Sequence, residues 1–422
     1  MIQPLTDMSL HTPLEEDSAF DIRDFGAAES ASPAHNAAAI QRALDAAALG
    51  ARAVRPRKTP RGKNAVATSV GETPVSRQCV VVPPGTFVSG TLWLRPHVEL
   101  HLEKGAVLKA SPNLADYNAL DAYPENWGCP PEYWNGCHFI IARNADGASI
   151  TGQGIVDGNG DAFFDDEPIA YYDWMKPGAR CWWNGIRWAK DKENLRPGQL
   201  VVFVKCRDVA VRGVTIRNSP CWSLWFWGCE GVRVSDYTVR NGENDGNTDG
   251  IDIDCSRDVV LERADIDTGD DAIAIRASAL ESAPTAQGRL GIPAVTDSVR
   301  IRDCRLRSTS SVFRVGVGEG VIRNVLVESV ACDRGGTAVN VSTLYGAPEG
   351  HGTDIEDVTF RNCRFSGCRI GAAVRSNGGD RLEFGIRRIR FENCDFDGLQ
   401  PVVESTPGVR FPVDTGEVVF VV

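Results

Sequence analysis

The sequence predicts an all-β fold, a single-stranded β-solenoid wound from short parallel strands and closed at its start by a capping helix. Three observations carry this. The pattern apolar-x-apolar-x-x-apolar-x-apolar recurs seven times between Val209 and Phe396, with most starts 22 to 33 residues apart. No helical periodicity separates the copies, which argues for stacked coils rather than strand–helix–strand units. Two short runs, NTDGIDID and TGDDAIAI, also superimpose at an offset of 22 residues, one turn of such a coil.

In chain order, residues 1–20 are polar and without periodicity, a lead-in to one β-helical domain over 21–422. DIRDFGA (Asp21 to Ala27) is a short strand and turn. Ala39, Ile40, Ala43 and Leu44 fall at helical spacing, giving one amphipathic helix over about 35–48 with Asn36 as its cap. Such a helix covers the first rung, whose open edge would otherwise pair with another chain. The stretch 51–78 is rich in Arg, Lys, Pro and Gly and is expected to be a surface loop. From Cys79 onward, VVVPPGTFVSGTLWL and VELHLEKGAVLKAS alternate with period two, as half-buried strands do. Further insertions are expected at about 115–138, 160–197 and 278–296.

The repeats are Val209, Val211, Val214, Ile216; Val232, Val234, Tyr237, Val239; Val259, Leu261, Ala264, Ile266; and Val299, Ile301, Cys304, Leu306. They continue as Val325, Val327, Val330, Cys332; Val358, Phe360, Cys363, Phe365; and Ile389, Phe391, Cys394, Phe396. These positions point inward and stack as ladders. Cys304, Cys363 and Cys394 share one ladder and are expected to be packed thiols. YYDWMKPGARCWWNGIRW does not repeat and holds four of the ten tryptophans. Sugar stacking on Trp182 and Trp183, a loop mini-core and a contact between copies of the chain all remain open for this aromatic surface.

The 22-residue offset places Asp249 on Asp271, and Ile251, Asp252 and Ile253 on Ile273, Ala274 and Ile275. Neighbouring parallel strands lie about 4.8 Å apart. Two carboxyls at that distance repel, so one is expected to hold a proton near neutrality. Asp270 adds a third. An acid and a base in one patch suit acetal hydrolysis, with a proton for the leaving oxygen and a base for the attacking water. A polar coil turn or a calcium site is the alternative use of these aspartates.

The whole chain sets limits. A net charge of −11 argues against nucleic acid and anionic membranes as partners. No apolar run approaches the roughly 20 residues needed to span a bilayer. The N-terminus lacks a basic start and an apolar core, so the expected location is the cytoplasm. Thirteen cysteines, scattered without CxxC pairs, are expected to be free thiols. Six histidines in no ligand-like spacing give no transition-metal site, and no cofactor is expected.

Together, DFGA, AAIQRAL, VVVPPGTFVSGTLWL, VELHLEKGAVLKAS, SITGQGIVDG, NSPCWSLWFWGC, NTDG and GDD resemble the polygalacturonase family, glycoside hydrolase family 28. The likeness covers nearly the whole chain up to about residue 277. It implies a right-handed parallel β-helix of the pectin-lyase type and an inverting hydrolase working by single displacement. By the same resemblance Asp270 is the general acid, while Asp249 and Asp271 activate water. Asn247, Asp252, Arg314, Asn340, Arg375, Trp182 and Trp183 are the expected substrate-binding residues.

The chain departs from the family at two places. Ser311 stands where a histidine is expected, and Asn340 and Ser342 stand where an Arg-x-Lys pair grips a substrate carboxylate. Arg314 and Arg375, expected in the outward column of Asp252 and Ala274, are candidate replacements. Arg314 is equally a candidate partner of Asp252. The leading expectation is an exo-acting hydrolase of pectin-type fragments or a related non-uronic glycan. A transferase or lyase on the same helix, such as a fructotransferase, and a non-catalytic carbohydrate-binding β-helix are the alternatives.

Overall fold

A computed structural model of the chain describes residues 19–53, 78–126, 128–129, 132–166, 187, 190, 195–278, 291–343, 352–376, 385–405 and 415–421. The chain folds as a right-handed parallel β-helix. Twelve of its strands form one continuous sheet and eighteen form the remaining faces, and every pairing between them is parallel. One face carries the candidate site. Its strands are β1 (Ile140–Arg143), β2 (Val201–Val204), β3 (Leu224–Trp227), β4 (Ile251–Asp254) and β5 (Ile273–Ala277). It continues through β6 (Ser311–Gly318), β7 (Ala331–Ser342), β8 (Cys368–Ser376) and β9 (Val402–Ser405).

The repeat pattern follows from one corner of the coil. In each repeat the second residue of the two-residue spacer turns the chain in the left-handed region. These residues are Gly213, with φ 76°, and Asp236, Arg263, Asp303, Ser329, Asn362 and Asn393, with φ between 50° and 57°. Asp and Asn tolerate this conformation better than other non-glycine residues. The backbone N–H of each donates to a carbonyl of the next coil, as Asp236 does to Glu262 at 3.2 Å and Asn362 to Glu392 at 3.0 Å. Corner geometry and coil stacking therefore reinforce each other.

Inside, the ladders are dry. Phe226, Ile253, Ile275, Val315 and Val341 stack in register and are fully buried. Near the C-terminal end aromatic rings take over, with Phe360 stacked on Phe391 at 5.3 Å and Phe365 on Phe396 at 5.2 Å. Cys304 and Cys363 are buried and Cys394 is half-buried on their expected ladder, and the cysteines of the described residues are free thiols.

The capping helix runs Pro33–Ala53, longer than expected at both ends. Ser32, not Asn36, stands at its start, where its hydroxyl accepts from the His35 N–H at 3.3 Å. Pro33 then occupies the first helical position, where its missing N–H costs nothing. Asn36 lies inside the helix and is fully buried. Its amide accepts from the Ala28 N–H and donates to the carbonyls of Ala28 and Val88, each at 2.9 Å. It ties helix, lead-in turn and first coil together, which a position in sequence could not reveal. The strand Ala19–Asp21 already pairs with Cys79–Val81, so the β-helix begins at Ala19 rather than Asp21. Residues 1–18 and most of the 51–78 loop lie outside the described residues.

Replacing Asn36 with alanine leaves buried backbone groups unpaired, each worth about 1–3 kcal/mol. Asn36→Ala is expected to lower the urea midpoint at unchanged slope, by about 2–4 kcal/mol overall.

Candidate active site

The expected stacking is present. β4 and β5 pair Ile251 with Ile273, Asp252 with Ala274, Ile253 with Ile275 and Asp254 with Arg276. Immediately before them the Gly250 N–H donates to the Asp271 carbonyl at 2.9 Å, so the two carboxyl-bearing bends stack as well. Asp270 and Asp271 would face opposite ways on a flat strand. Here β5 begins only at Ile273, and the chain bends after Gly269. A Cβ at Gly269 would come within 2.4 Å of the carbonyl oxygens of Gly242 and Asp245, so only glycine fits this bend. The bend brings oxygens of Asp249, Asp270 and Asp271 to within 4.8 Å of one another.

Each carboxyl has a distinct setting. Asp270 is half-buried and accepts from the Asn247 N–H at 3.0 Å and the Asp271 N–H at 2.9 Å. Burial first, then the Asp271 charge, pushes its carboxyl up to about 7, while Arg314, the Asn247 N–H and the Ser310 hydroxyl pull the other way. Asp249 is only 5% exposed, and one of its oxygens has no hydrogen-bond partner. Burial, followed by Asp252, Asp270 and Asp271, raises it well above the usual carboxylate range, against the pull of Arg276. Asp271 accepts from the Ser311 N–H at 2.9 Å and pairs with the Arg314 guanidinium through both Nη2, at 3.2 Å, and a closer contact from Nε. A cation could bridge carboxyls this close, but the Arg314 guanidinium already supplies positive charge beside Asp271.

The remaining expected residues divide. Arg314 does share the column of Asp252, Ala274 and Asn340, as expected. It nonetheless pairs with Asp271 and not with Asp252, because Arg276 reaches Asp252 first, at 3.4 Å, and Asp254 at 3.3 Å. Asp252 is fully buried, with one oxygen unpartnered, and burial raises its carboxyl well above the usual range. The Asn247 side chain accepts from Arg196 at 2.7 Å and contributes its backbone N–H, not its amide, to Asp270. Asn340 is half-buried and carries a buried Oδ1 with no partner. Arg375 is not in the column of Arg314: it pairs in register with Ser342, two positions along the strand and one coil beyond Asn340. Its guanidinium is bound to Glu404 at 2.5 Å. Trp182 and Trp183 lie outside the described residues.

Two arginines were missed. Arg276 stacks 4.3 Å above the Trp222 ring and holds Asp252 and Asp254. The 22-residue offset that found Asp249 and Asp271 also puts Asp254 on Arg276, so the signal was there. Burial alone would lower the Arg276 guanidinium, but Asp254, Asp252 and Asp249 outweigh it. Arg196 comes from an insertion without periodicity. It is 1% exposed and binds the carbonyls of Pro220 at 2.7 Å and Gly246 at 2.8 Å, bracing the loop that carries Asn247.

Aromatic side chains close one end of this face. Ile141, Val202 and Val204 point outward from β1 and β2, yet they are fully buried. They lie in one cluster with Tyr123, Trp134, Trp222, Trp225 and Trp227. Trp134 sits 5.7 Å from Trp222, and Trp225 stacks on Trp227 at 4.9 Å. Trp134 is buried in this cluster, whereas the tryptophans of YYDWMKPGARCWWNGIRW lie outside the described residues.

A half-buried acid beside two further carboxyls, on the outer face of a parallel β-helix, is the arrangement of a glycosidase. The sequence profile described as Glycosyl hydrolases family 28 matches residues 131–283, the span that contains both aspartate bends. An endo-polygalacturonase of Pectobacterium carotovorum is 25% identical over 295 residues, covering 65% of this chain and 70% of that protein. A polygalacturonase of Ralstonia solanacearum is 30% identical over 229 residues, covering 47% of this chain and 41% of its own. Among solved structures, a family 28 exopolygalacturonase of Yersinia enterocolitica superposes with a TM-score of 0.60 at 18% identity, over 92% of this chain and 68% of the other. An exopolygalacturonase of Thermotoga maritima gives 0.59 at 18% identity, over 96% and 92%. Over residues 131–283 the chain is similar to glycoside hydrolase family 28, and it is a glycosidase.

Because the fold raises the Asp270 carboxyl above its unfolded value near 4, it favours the protonated form. That contribution is complete below pH ~4 and is lost as pH rises through about 7. Asp270→Asn removes the dependence. The variant is expected to gain on wild type between these limits and to be more stable at pH 8 by on the order of 2 kcal/mol, read from denaturant melts at both pH values.

Proposed function

We propose that this glycosidase is an exo-acting, inverting hydrolase of oligosaccharides, with Asp270 as general acid and Asp249 and Asp271 holding the attacking water. The observation that carries the reading is the contrast within the carboxyl cluster. Asp270 is only half-buried and keeps its proton to about pH 7. Asp249 offers an unpartnered oxygen while almost fully buried. Inversion is taken from the resemblance to family 28, and the enclosed Asp249 suits contact with a small water rather than with a sugar ring. Asp271 is occupied on both oxygens by Ser311 and Arg314, so it orients rather than attacks.

The exo mode is supported by the aromatic cluster over β1 and β2, which covers the outward side chains of Ile141, Val202 and Val204. Pectin-type fragments come first as substrate because the relatives are polygalacturonases. Asn340 and Ser342, with Arg375 held by Glu404, favour a second reading in which the sugar at the cleavage point is not a uronate.

Wild-type protein and Asp270→Asn should be incubated with pectic, rhamnosyl, galactosyl and fructosyl oligosaccharides, following new reducing ends and product size. Wild type is expected to release one small product from the outset, and the variant to be slower by about 10²–10⁴-fold. Proton NMR of the first product should show the inverted anomer. The acid must carry its proton, so kcat is expected to fall as pH rises through about 7. Random-length products would refute the exo mode. Wild type inert on the whole panel would sink the hydrolase reading.

A further inference from the structure

We propose that Arg314 is a positioning residue that acts through Asp271, fixing the orientation of that carboxyl so that Asp270 and Asp249 can work. The proposal rests on the hydrolase reading above and departs from the expectation that Arg314 grips the substrate.

Arg314 projects outward from β6, directly over Ala274 of β5 and beneath Asn340 of β7. Ala274 is the small residue of this column. Its methyl leaves the guanidinium a path across one coil, back toward the bend that carries Asp271. The side chain is 11% exposed and meets Asp271 side-on, Nε to one oxygen and Nη2 to the other. Such a forked contact fixes the plane of the carboxyl. The backbone N–H of Ser311, from the same strand, completes the set at 2.9 Å. Among the described residues, one strand thus supplies the donors to the Asp271 side chain. Asp271 is 4% exposed, so little water is available to replace those donors.

The consequence reaches the acid. Asp271 raises the proton affinity of Asp270, and Arg314 moderates it. The other charged groups acting on these carboxyls are Asp249 and Asp252 from the coil of β4, Arg276 from β5, and Arg196 beneath Asn247. Arg276 is already held by Asp252 and Asp254, so it does not stand in for Arg314. Without Arg314, five carboxyls at Asp249, Asp252, Asp254, Asp270 and Asp271 would face one guanidinium from the strands of this sheet.

The test is a double-mutant cycle on the glycan that wild type hydrolyses: Arg314→Gln, Asp271→Asn and the double variant, with Arg314→Lys as a charge-retaining control. Arg314→Gln is expected to lower kcat about 100-fold with KM changed less than about threefold, since a misplaced catalytic group costs that much. The alkaline limb of its kcat profile should move to higher pH, because Asp270 loses the cation that opposes its proton. Adding Arg314→Gln to Asp271→Asn should slow the enzyme less than about threefold further, as for two residues acting as a unit. Arg314→Lys keeps the charge without the fork and should recover about tenfold of the loss.

A substrate clamp would give the opposite pattern: KM raised tenfold or more, an unmoved pH profile, and effects that multiply in the double variant. Any of these overturns the proposal. Should Arg314→Gln not fold, the same comparisons are made with Arg314→Lys alone and combined with Asp271→Asn. Wild type active with a multiplicative cycle removes this inference and leaves the hydrolase reading intact.

Discussion

The structure depends on parallel register between coils about 4.8 Å apart. Each strand of the site face is locked to its neighbours by a fully buried inward ladder, from Phe226 through Ile253, Ile275 and Val315 to Val341. Sliding one coil by a single residue would turn that ladder outward and carry the polar column into the core. The register is therefore held by apolar burial along the whole solenoid. Asp249 and Asp271 are neighbours because Ile251 and Ile273 are.

That constraint creates an electrostatic problem. Register alone stacks carboxyl on carboxyl, and burial makes each charge costly. The molecule answers with protons and guanidiniums. Asp249, Asp252 and Asp254 are all raised by burial, and Arg276 is shared between the latter two. Asp271 receives Arg314. Asp270 is left half-buried beside the paired acids, and this intermediate setting holds its proton affinity near neutrality. A buried ion pair is weak evidence for stability, since desolvation offsets much of the attraction. Here its value lies in fixing which carboxyl holds a proton.

The sequence made the ladders and the stacking of Asp249 on Asp271 legible because both follow from a repeat, and a repeat is visible as an offset. The bend at Gly269 was legible too, since two adjacent aspartates cannot share a site without one. What the repeat could not show was the direction of long side chains. Arg314 was placed in the right column, yet its guanidinium crosses a coil to Asp271, a choice made by the small Ala274 beside it and by Arg276 already holding Asp252. Arg375 stands two residues along from the expected column, opposite Ser342, and its partner Glu404 lies on β9, outside the repeats. Arg196 and the burial of Ile141, Val202 and Val204 depend on insertions, where no periodicity exists to be read.

The pleat of the strand explains how one scaffold can keep its fold while its site changes. Inward positions on the site face are apolar in every coil. The outward column, one residue away, reads Trp225, Asp252, Ala274, Arg314 and Asn340, five residues of different chemistry in successive coils. Nothing in the ladder restricts that column, because alternate residues point to opposite faces. The catalytic candidates lie off the strands altogether, on the bends just before β4 and β5, where hydrogen bonds between backbones rather than packing set their position. Ser311, where the resemblance sets a histidine, still contributes to the site. Its backbone N–H still reaches Asp271, and a new cation in the free column can reach the same carboxyl from three residues further along.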